Sequence, residues 1–218
     1  MAKLVDGWMS TSMTEQRHGG DGDGETGAAS VDTELVGDEV VTNVARAALF
    51  AALIGAFSYV SFPNPVSPNP VTLQVLGVFL AGILLGPIWG SAACGLYLFA
   101  GMLGAPVFAG GAAGFGVLIG QTAGYLWSTP LAAFAVGTIV HGGLSLSDPE
   151  AVGLARLVGA MVVGTVLIYA LGITGMMIVL RLGLEEAVIA GAVAFIPAEA
   201  LKIAAAVGIV RSSAIAAE

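Results

Sequence analysis

The sequence predicts an all-α polytopic membrane protein with six transmembrane helices and both termini in the cytoplasm, and three observations carry that prediction. Of 218 residues, 57% are apolar and only 10% charged, a balance that no soluble domain of this size has. Apolar runs recur from Val44 to Val210, most of them close to the roughly 20 residues that a helix needs to cross a bilayer. The few basic residues divide unequally between the intervening loops.

Residues 1–43 hold nine of the fifteen acids, with only Lys3 and Arg17 as bases and with Gly and Ser interspersed. Such a stretch cannot bury a core, so it is predicted to be a disordered acidic cytoplasmic tail. It lacks the contiguous apolar region of a secretory signal and is expected to stay on the chain. Asp21, Asp23 and Glu25 alternate with glycines, but the spacing of a calcium-binding loop is absent and a solvated linker is the plainer reading.

The first apolar segment, Val44 to Phe62, carries an alanine ridge in which Ala47 pairs with Ala51, Ala48 with Ala52, and Ala52 with Ala56. Small residues on one helical face let another helix come close. The second and third segments, Val71 to Leu85 and Ile88 to Leu103, are shorter than a full crossing and are punctuated by Gly86-Pro87. At the mouth of the second, Asn69-Pro70-Val71-Thr72-Leu73-Gln74 offers Thr72 as a cap and Gln74 either to a pocket or to a neighbouring helix. The fourth segment, Val117 to Val140, opens with Gly120-Gln121-Thr122-Ala123-Gly124-Tyr125, which places an amide, a hydroxyl and a phenol early in its helix. Buried polar groups need partners, so these three should face the bundle interior. The fifth segment runs from Leu157 to Leu180 and the sixth from Ala187 to Val210, leaving residues 212–218 as a short cytoplasmic tail. No internal repeat is visible, which speaks against transporters built from duplicated halves. Cys94 is the only cysteine and reads as packing filler.

With six crossings, Lys3, Arg17, Arg46, Arg156 and Arg211 fall on one side and Arg181 on the other. The richer side is cytoplasmic by the positive-inside rule. The connections Pro63 to Pro70, Ala105 to Gly116 and Arg181 to Glu186 then face outward.

Glu199 and Lys202 are the only charges between Glu186 and Arg211. A charge near the bilayer centre costs about 2.5 to 3.5 kcal/mol or more, so an intramembrane ionisable pair points to function. Three residues apart, the two share one helix face, where they can partner each other or a ligand. Pro197 should kink this helix and leave the carbonyls near Val193 and Ala194 underpaired. The glycine-rich stretch from Ala105 through Phe108, Gly110 and Gly111 to Gly116 permits a backbone folded over a pocket, with Phe108 and Phe115 as flat apolar walls. Enzyme chemistry finds little support. His18 and His141 stand apart from any cluster with metal-ligand spacing, and there is neither a Gly-x-Ser-x-Gly nucleophile nor a Walker A lysine. No metal, organic cofactor or nucleic acid is implied.

An ordered set of motifs resembles the BioY family, the biotin-binding S components of energy-coupling-factor (ECF) transporters. It comprises Pro70-Val71-Thr72-Leu73-Gln74-Val75-Leu76-Gly77, Leu80-Ala81-Gly82-Ile83-Leu84-Leu85-Gly86-Pro87, Pro106-Val107-Phe108-Ala109-Gly110-Gly111, and Gly120 to Tyr125. The family pattern Phe-Ile-Pro-Gly-Asp with a lysine three residues on is met by Phe195-Ile196-Pro197-Ala198-Glu199 and Lys202. The resemblance implies a six-helix substrate-binding domain, residues 44–211, that captures biotin outside the cytoplasmic membrane. It also implies a transmembrane coupling protein and two ATPase subunits as partners. Substrate-binding residues on this basis are Glu199, Lys202, Gln74, Phe108, Gly110, Gln121, Thr122 and Tyr125, and the ridge of Ala47, Ala48, Ala51 and Ala52 would meet the coupling protein. Lys202 is expected to pair the biotin carboxylate, with Glu199 or a polar neighbour taking the ureido hydrogens. Glu199 stands where the family usually has Asp, and Gln121 and Ala123 depart from its Gly-Pro-Thr-Gly-Gly-Tyr. An S component for another vitamin, an ion-coupled carrier of a small anion and a membrane-assembly protein remain open alternatives.

Overall fold

The structure, a computed structural model, describes residues 37–64, 67 and 69–212. The acidic tail is therefore outside the described residues up to position 36, as is the C-terminal end from 213. Helix α1 (Asp38–Tyr59) begins earlier than the apolar run suggested. Asp38 and Glu39 occupy its first turn, where carboxylates complement the positive end of the helix dipole, so these two of the acids assigned to the tail start a helix. After α1, the two-residue strands β1 (Ser61–Phe62) and β2 (Val71–Thr72) pair antiparallel, Ser61 opposite Thr72 and Phe62 opposite Val71. This ribbon ends the first segment at Tyr59 rather than Phe62 and brings Thr72 back beside it.

Helix α2 (Gln74–Met102) unites the second and third apolar segments, and Gly86 alone breaks its helical geometry, at φ 78° and ψ −179°. A straight helix would set Gln74 and Tyr97 about 34 Å apart at 1.5 Å per residue. Instead the Gln74 side-chain amide donates to the Tyr97 hydroxyl at 2.5 Å. The run therefore doubles back, with arms 74–85 and 87–102 lying side by side. A Cβ placed on Gly90 would come within 2.6 Å of the Ala81 carbonyl oxygen, so the arms touch backbone to backbone.

The remaining elements are α3 (Ala123–His141), α4 (Leu154–Leu180), α5 (Leu184–Gly191) and α6 (Ile196–Arg211), with 3-10 turns at Ala109–Gly111, Phe115–Ile119 and Val193–Phe195. Two expectations change here. The fourth segment begins as a 3-10 turn, so Gln121 and Thr122 precede α3 instead of riding on it. The sixth is interrupted at Ala192, and Pro197 lies in the first turn of α6, where its missing N–H costs nothing, rather than kinking a continuous helix.

Among the described residues, five helical runs are long and apolar enough to cross a membrane: α1, α2, α3, α4 and the stretch Leu184–Arg211. The protein is an all-α polytopic membrane protein whose only strands, among the described residues, are the short ribbon. The doubled α2 is the innermost element. Val78, Phe79 and Ile83 from its first arm and Ala93, Cys94 and Tyr97 from its second are buried against Ala132, Ala133 and Val136 of α3 and Leu157 and Met161 of α4. Lipid tails are as apolar as these side chains, so close packing rather than escape from water must hold the helices together. Small residues supply it. A Cβ on Gly82 would lie 2.5 Å from the Ala133 carbonyl oxygen, and one on Gly124 2.2 Å from that of Leu171. The alanines of α1 divide: Ala47 is buried at 1% exposure and Ala51 partly so, while Ala48, Ala52 and Ala56 face outward.

Candidate functional site

Glu199 and Lys202, the charges in the interior of the last span, are both buried, each residue 5% exposed, and Lys202 Nζ donates to Glu199 Oε1 at 2.6 Å. They lie on α6, with Glu199 in its first turn, so the carboxylate also faces the positive helix end. The break at Ala192 creates that helix end in the middle of the span. Its loose carbonyls are largely taken up: the Ala194 oxygen accepts from Asn64 Nδ2 at 3.3 Å, and the Val193 oxygen from the Ile196 amide. The second carboxylate oxygen, Glu199 Oε2, is buried, and so is the Tyr169 hydroxyl of α4. The Tyr169 hydroxyl lies against the Glu199 carboxylate, near enough to act as its donor.

Beside the pair lies a cavity of about 280 Å³, just below the roughly 300 to 1,000 Å³ typical of small-molecule sites. Glu199 and Lys202 form part of its wall, together with Tyr169, Ile168 and Phe195. The ribbon and the start of α2 contribute Asn69, Pro70, Thr72, Gln74 and Val75. Here the side chains are linked in a chain, Thr72 Oγ1 donating to Gln74 Oε1 at 3.0 Å while Gln74 Nε2 donates to Tyr97, so Gln74 both reaches the cavity and ties the two arms. Thr72 does not cap the helix. Gln121 Nε2 donates to Asn69 Oδ1 at 3.1 Å, joining the connection before α3 to the one before α2.

Aromatic walls follow from glycines. Phe108 is 1% exposed and packs edge-on to Tyr97 at 5.5 Å between centroids. Its ring fills the space where Gly101 has no side chain, since a Cβ there would sit 2.2 Å from the ring. The Tyr59 hydroxyl donates to the Pro106 carbonyl, fixing the loop that carries Phe108 to the end of α1. Tyr125 lies against Gly172, crosses Tyr169 at 80° and donates its hydroxyl to the Gly191 carbonyl at 2.9 Å. That phenol thus holds the end of α5 as well as lining the cavity.

Of the eight residues that the sequence nominated, Glu199, Lys202, Gln74, Phe108, Gln121, Thr122 and Tyr125 line this cavity. Gly110 does not; its φ of 69° shapes the turn that presents Phe108 and Ala109. Phe115, at 56% exposure, lies outside the wall. Sequence reasoning missed Tyr97, Thr129 and Tyr169, which lie within predominantly apolar runs whose pattern does not separate an inward face from a lipid-facing one. A polar side chain in such a run is itself the available signal, because lipid offers it no partner.

The family model described as BioY family matches residues 27–217. The chain belongs to the BioY family. Among curated relatives, the biotin transporter BioY of Rhodobacter capsulatus is 38% identical over 143 residues, covering 66% of this chain and 73% of that one. The biotin transporter BioY of Rhizobium etli is 36% identical over 164 residues, 71% of this chain and 83% of that one. A solved structure, the S-component for biotin from an ECF-type ABC transporter, superposes with a TM-score of 0.72 at 25% identity and covers 81% of this BioY-family chain and 92% of its own.

Proposed function

We propose that this chain is the biotin-specific S component of an ECF-type ABC transporter, a multi-pass membrane subunit and not an enzyme, which captures biotin at the cavity beside Glu199 and Lys202. One observation carries the reading beyond family membership: a cavity of about 280 Å³ has a buried ion pair in its wall, together with amide, hydroxyl and aromatic side chains. Biotin offers a flat polar ureido group, an apolar ring and an aliphatic chain with a carboxylate. Glu199, Lys202, Gln74, Gln121 and Thr122 supply the polar contacts, and Phe108 and Tyr125 the apolar faces, with Gly110 setting the loop above them.

Six crossings with cytoplasmic termini follow if each arm of α2 counts as one. Three contacts support that topology. Gly86, the turn of α2, packs against Leu146 and His141. Arg156 Nε donates to the Ile139 carbonyl at 2.6 Å, and Arg211 donates to the carbonyls of Glu150 and Val152. The turn of α2 and two arginines thus share one end, and the positive-inside rule makes that end cytoplasmic. The loops around Asn69 and Phe108 then open outward. Residues 38–211 form the substrate-binding unit, and the acidic tail lies inside the cell. Energy would come from a transmembrane coupling protein and two ATPase subunits, since the chain has no nucleotide-binding lysine motif of its own.

The test is binding of radiolabelled biotin to the purified full-length protein in detergent. Tight binding is expected, and Lys202→Ala should weaken it at least tenfold, because a charge-assisted bond in a dry pocket contributes about 1.5 to 3 kcal/mol. Unchanged affinity in that variant would refute the site.

A further inference from the structure

Helix α6 carries Glu199 and Lys202, yet it does not continue from α5, because helical geometry is lost at Ala192 and resumes only after the 3-10 turn Val193–Phe195. Its place in the bundle is therefore set by contacts and not by continuity with the helix before it. The buried stripe of α6 is Glu199, Lys202, Ala206 and Val210. Its two apolar members are short side chains, which make few dispersion contacts to key the helix to its neighbours. A firmer hold lies at the far end. Arg211, in the last turn, donates from Nη1 to the Glu150 carbonyl and from Nη2 to the Val152 carbonyl. A guanidinium is a rigid planar fork, so gripping two carbonyls at once sets both the height and the rotation of the helix end. We infer that Arg211 is a positioning residue for ligand capture: by clamping α6 to the connection between α3 and α4, it sets where Glu199 and Lys202 stand in the cavity wall. The inference rests on the biotin reading above.

The anchorage is itself held in place. Val152 is buried, and the turn before it is ordered by the Glu150 amide, which donates to Asp148 Oδ1 at 2.9 Å. Arg156 ties the neighbouring start of α4 back to α3 through the Ile139 carbonyl. From Arg211 back to Lys202 is about 14 Å of helix at 1.5 Å per residue, short enough for a displacement of one end to reach the other. Binding groups must be held within about 0.5 Å of their productive geometry. A loosened Arg211 is thus felt at the cavity, although it is not among the residues of the wall. The tie at the opposite end is the bond from Asn64 Nδ2 to the Ala194 carbonyl at 3.3 Å. It joins neutral groups, whereas charge-assisted bonds of the Arg211 kind are roughly twice as strong.

The experiment measures radiolabelled biotin binding to the full-length protein in detergent, as wild type, Arg211→Gln and Arg211→Lys, with affinity separated from the number of sites. Arg211→Gln should weaken affinity at least fivefold, and Arg211→Lys, which keeps the charge but not the fork, twofold to fivefold. A merely structural role would lower the number of sites or the thermal midpoint and leave the affinity of the remaining sites unchanged, and that result overturns the inference. A second readout follows α6 itself. Nitroxide labels on Leu201→Cys of α6 and Val166→Cys of α4, both exposed, report the distance between the two helices, and native Cys94 is buried away from the reagent. That distance should shift or broaden when Arg211→Gln is added. Weaker binding with an unchanged distance overturns the inference, because Arg211 then acts otherwise than by placing α6. If Arg211→Gln cannot be purified folded, Arg211→Lys decides by the same two readouts: a loss of less than twofold or an unchanged distance overturns the inference. A wild type that binds no biotin overturns the biotin reading itself, whereas a wild type that binds beside an unaffected variant overturns this inference alone.

Discussion

Glu199 and Lys202 show how an ion pair three residues apart can be tolerated in the membrane interior. Each charge is 5% exposed, and each would be stranded without the other. Removing one partner of a buried pair costs about 3 to 5 kcal/mol, whereas replacing both by apolar groups of similar volume is often neutral or stabilising. Stability and binding can therefore be separated. Glu199→Leu and Lys202→Met should each lower resistance to thermal unfolding in detergent, and the double variant should recover most of that loss while binding no biotin. Unfolding monitored beside ligand binding checks this, and a double variant that still binds biotin would show that the pair serves only the fold. Neighbouring glycines act on the same site by leaving room. Gly101→Val would drive a side chain into the Phe108 ring, which a bare Cβ already approaches to 2.2 Å, so biotin affinity should drop at least tenfold.

Elements of this fold turn on a few backbone positions. Gly86 closes the α2 hairpin at φ 78° and ψ −179°, a region essentially reserved for glycine. The first arm ends there, and His141 of α3 serves that end: its Nε2 lies 3.0 Å from the Ile83 carbonyl, and its Nδ1 lies 3.0 Å from both the amide and the carbonyl of Ser147, so the ring ties the arm to the loop after α3. Gly86→Ala should cost about 1 to 3 kcal/mol of stability from backbone strain. Contact with Leu146, 3.0 Å from the new Cβ, adds to it. Guanidinium or thermal unfolding in detergent reads this directly, and an unchanged midpoint would mean that the turn is not strained. The hairpin was half legible in the sequence. Gly86-Pro87 announced a break between two apolar runs, and a run of bilayer thickness is hard to miss because lipid demands it. The break at Ala192 was not legible in the same way, since apolar character continues through it and Pro197 only pointed to its vicinity. Inward faces were equally hidden. A helix surrounded by lipid and by other apolar helices loses the polar stripe that marks a soluble amphipathic helix, so Tyr169 could not be assigned a direction from α4 alone. Motif order, by contrast, fixed most of the cavity wall, because Gln74, Phe108 and the Gly120 to Tyr125 stretch sit where helices start or loops bend, and such positions constrain residue type more than helix interiors do.

At the scale of the whole molecule, α1 is the least buried of the spans, and its alanines face two ways. Ala47 sits in the core at 1% exposure, so it belongs to the fold and not to an outer surface. Ala48, Ala52 and Ala56 recur at helical spacing on the outward side, with Leu49 70% exposed beside them. If the coupling protein docks along this side, the contact is made by backbones brought close over small residues, and a large side chain holds them apart. Ala52→Trp should then leave biotin binding to the isolated protein within twofold of wild type and cut ATP-driven biotin uptake in the assembled transporter at least tenfold. Ala47→Trp should behave differently, because an indole forced into a filled core destabilises the protein before any partner is met. Measuring binding and uptake side by side for both variants separates a docking surface from a packing surface. Equal loss of binding in both would place the whole ridge in the fold, and undiminished uptake in Ala52→Trp would move the coupling protein to another face.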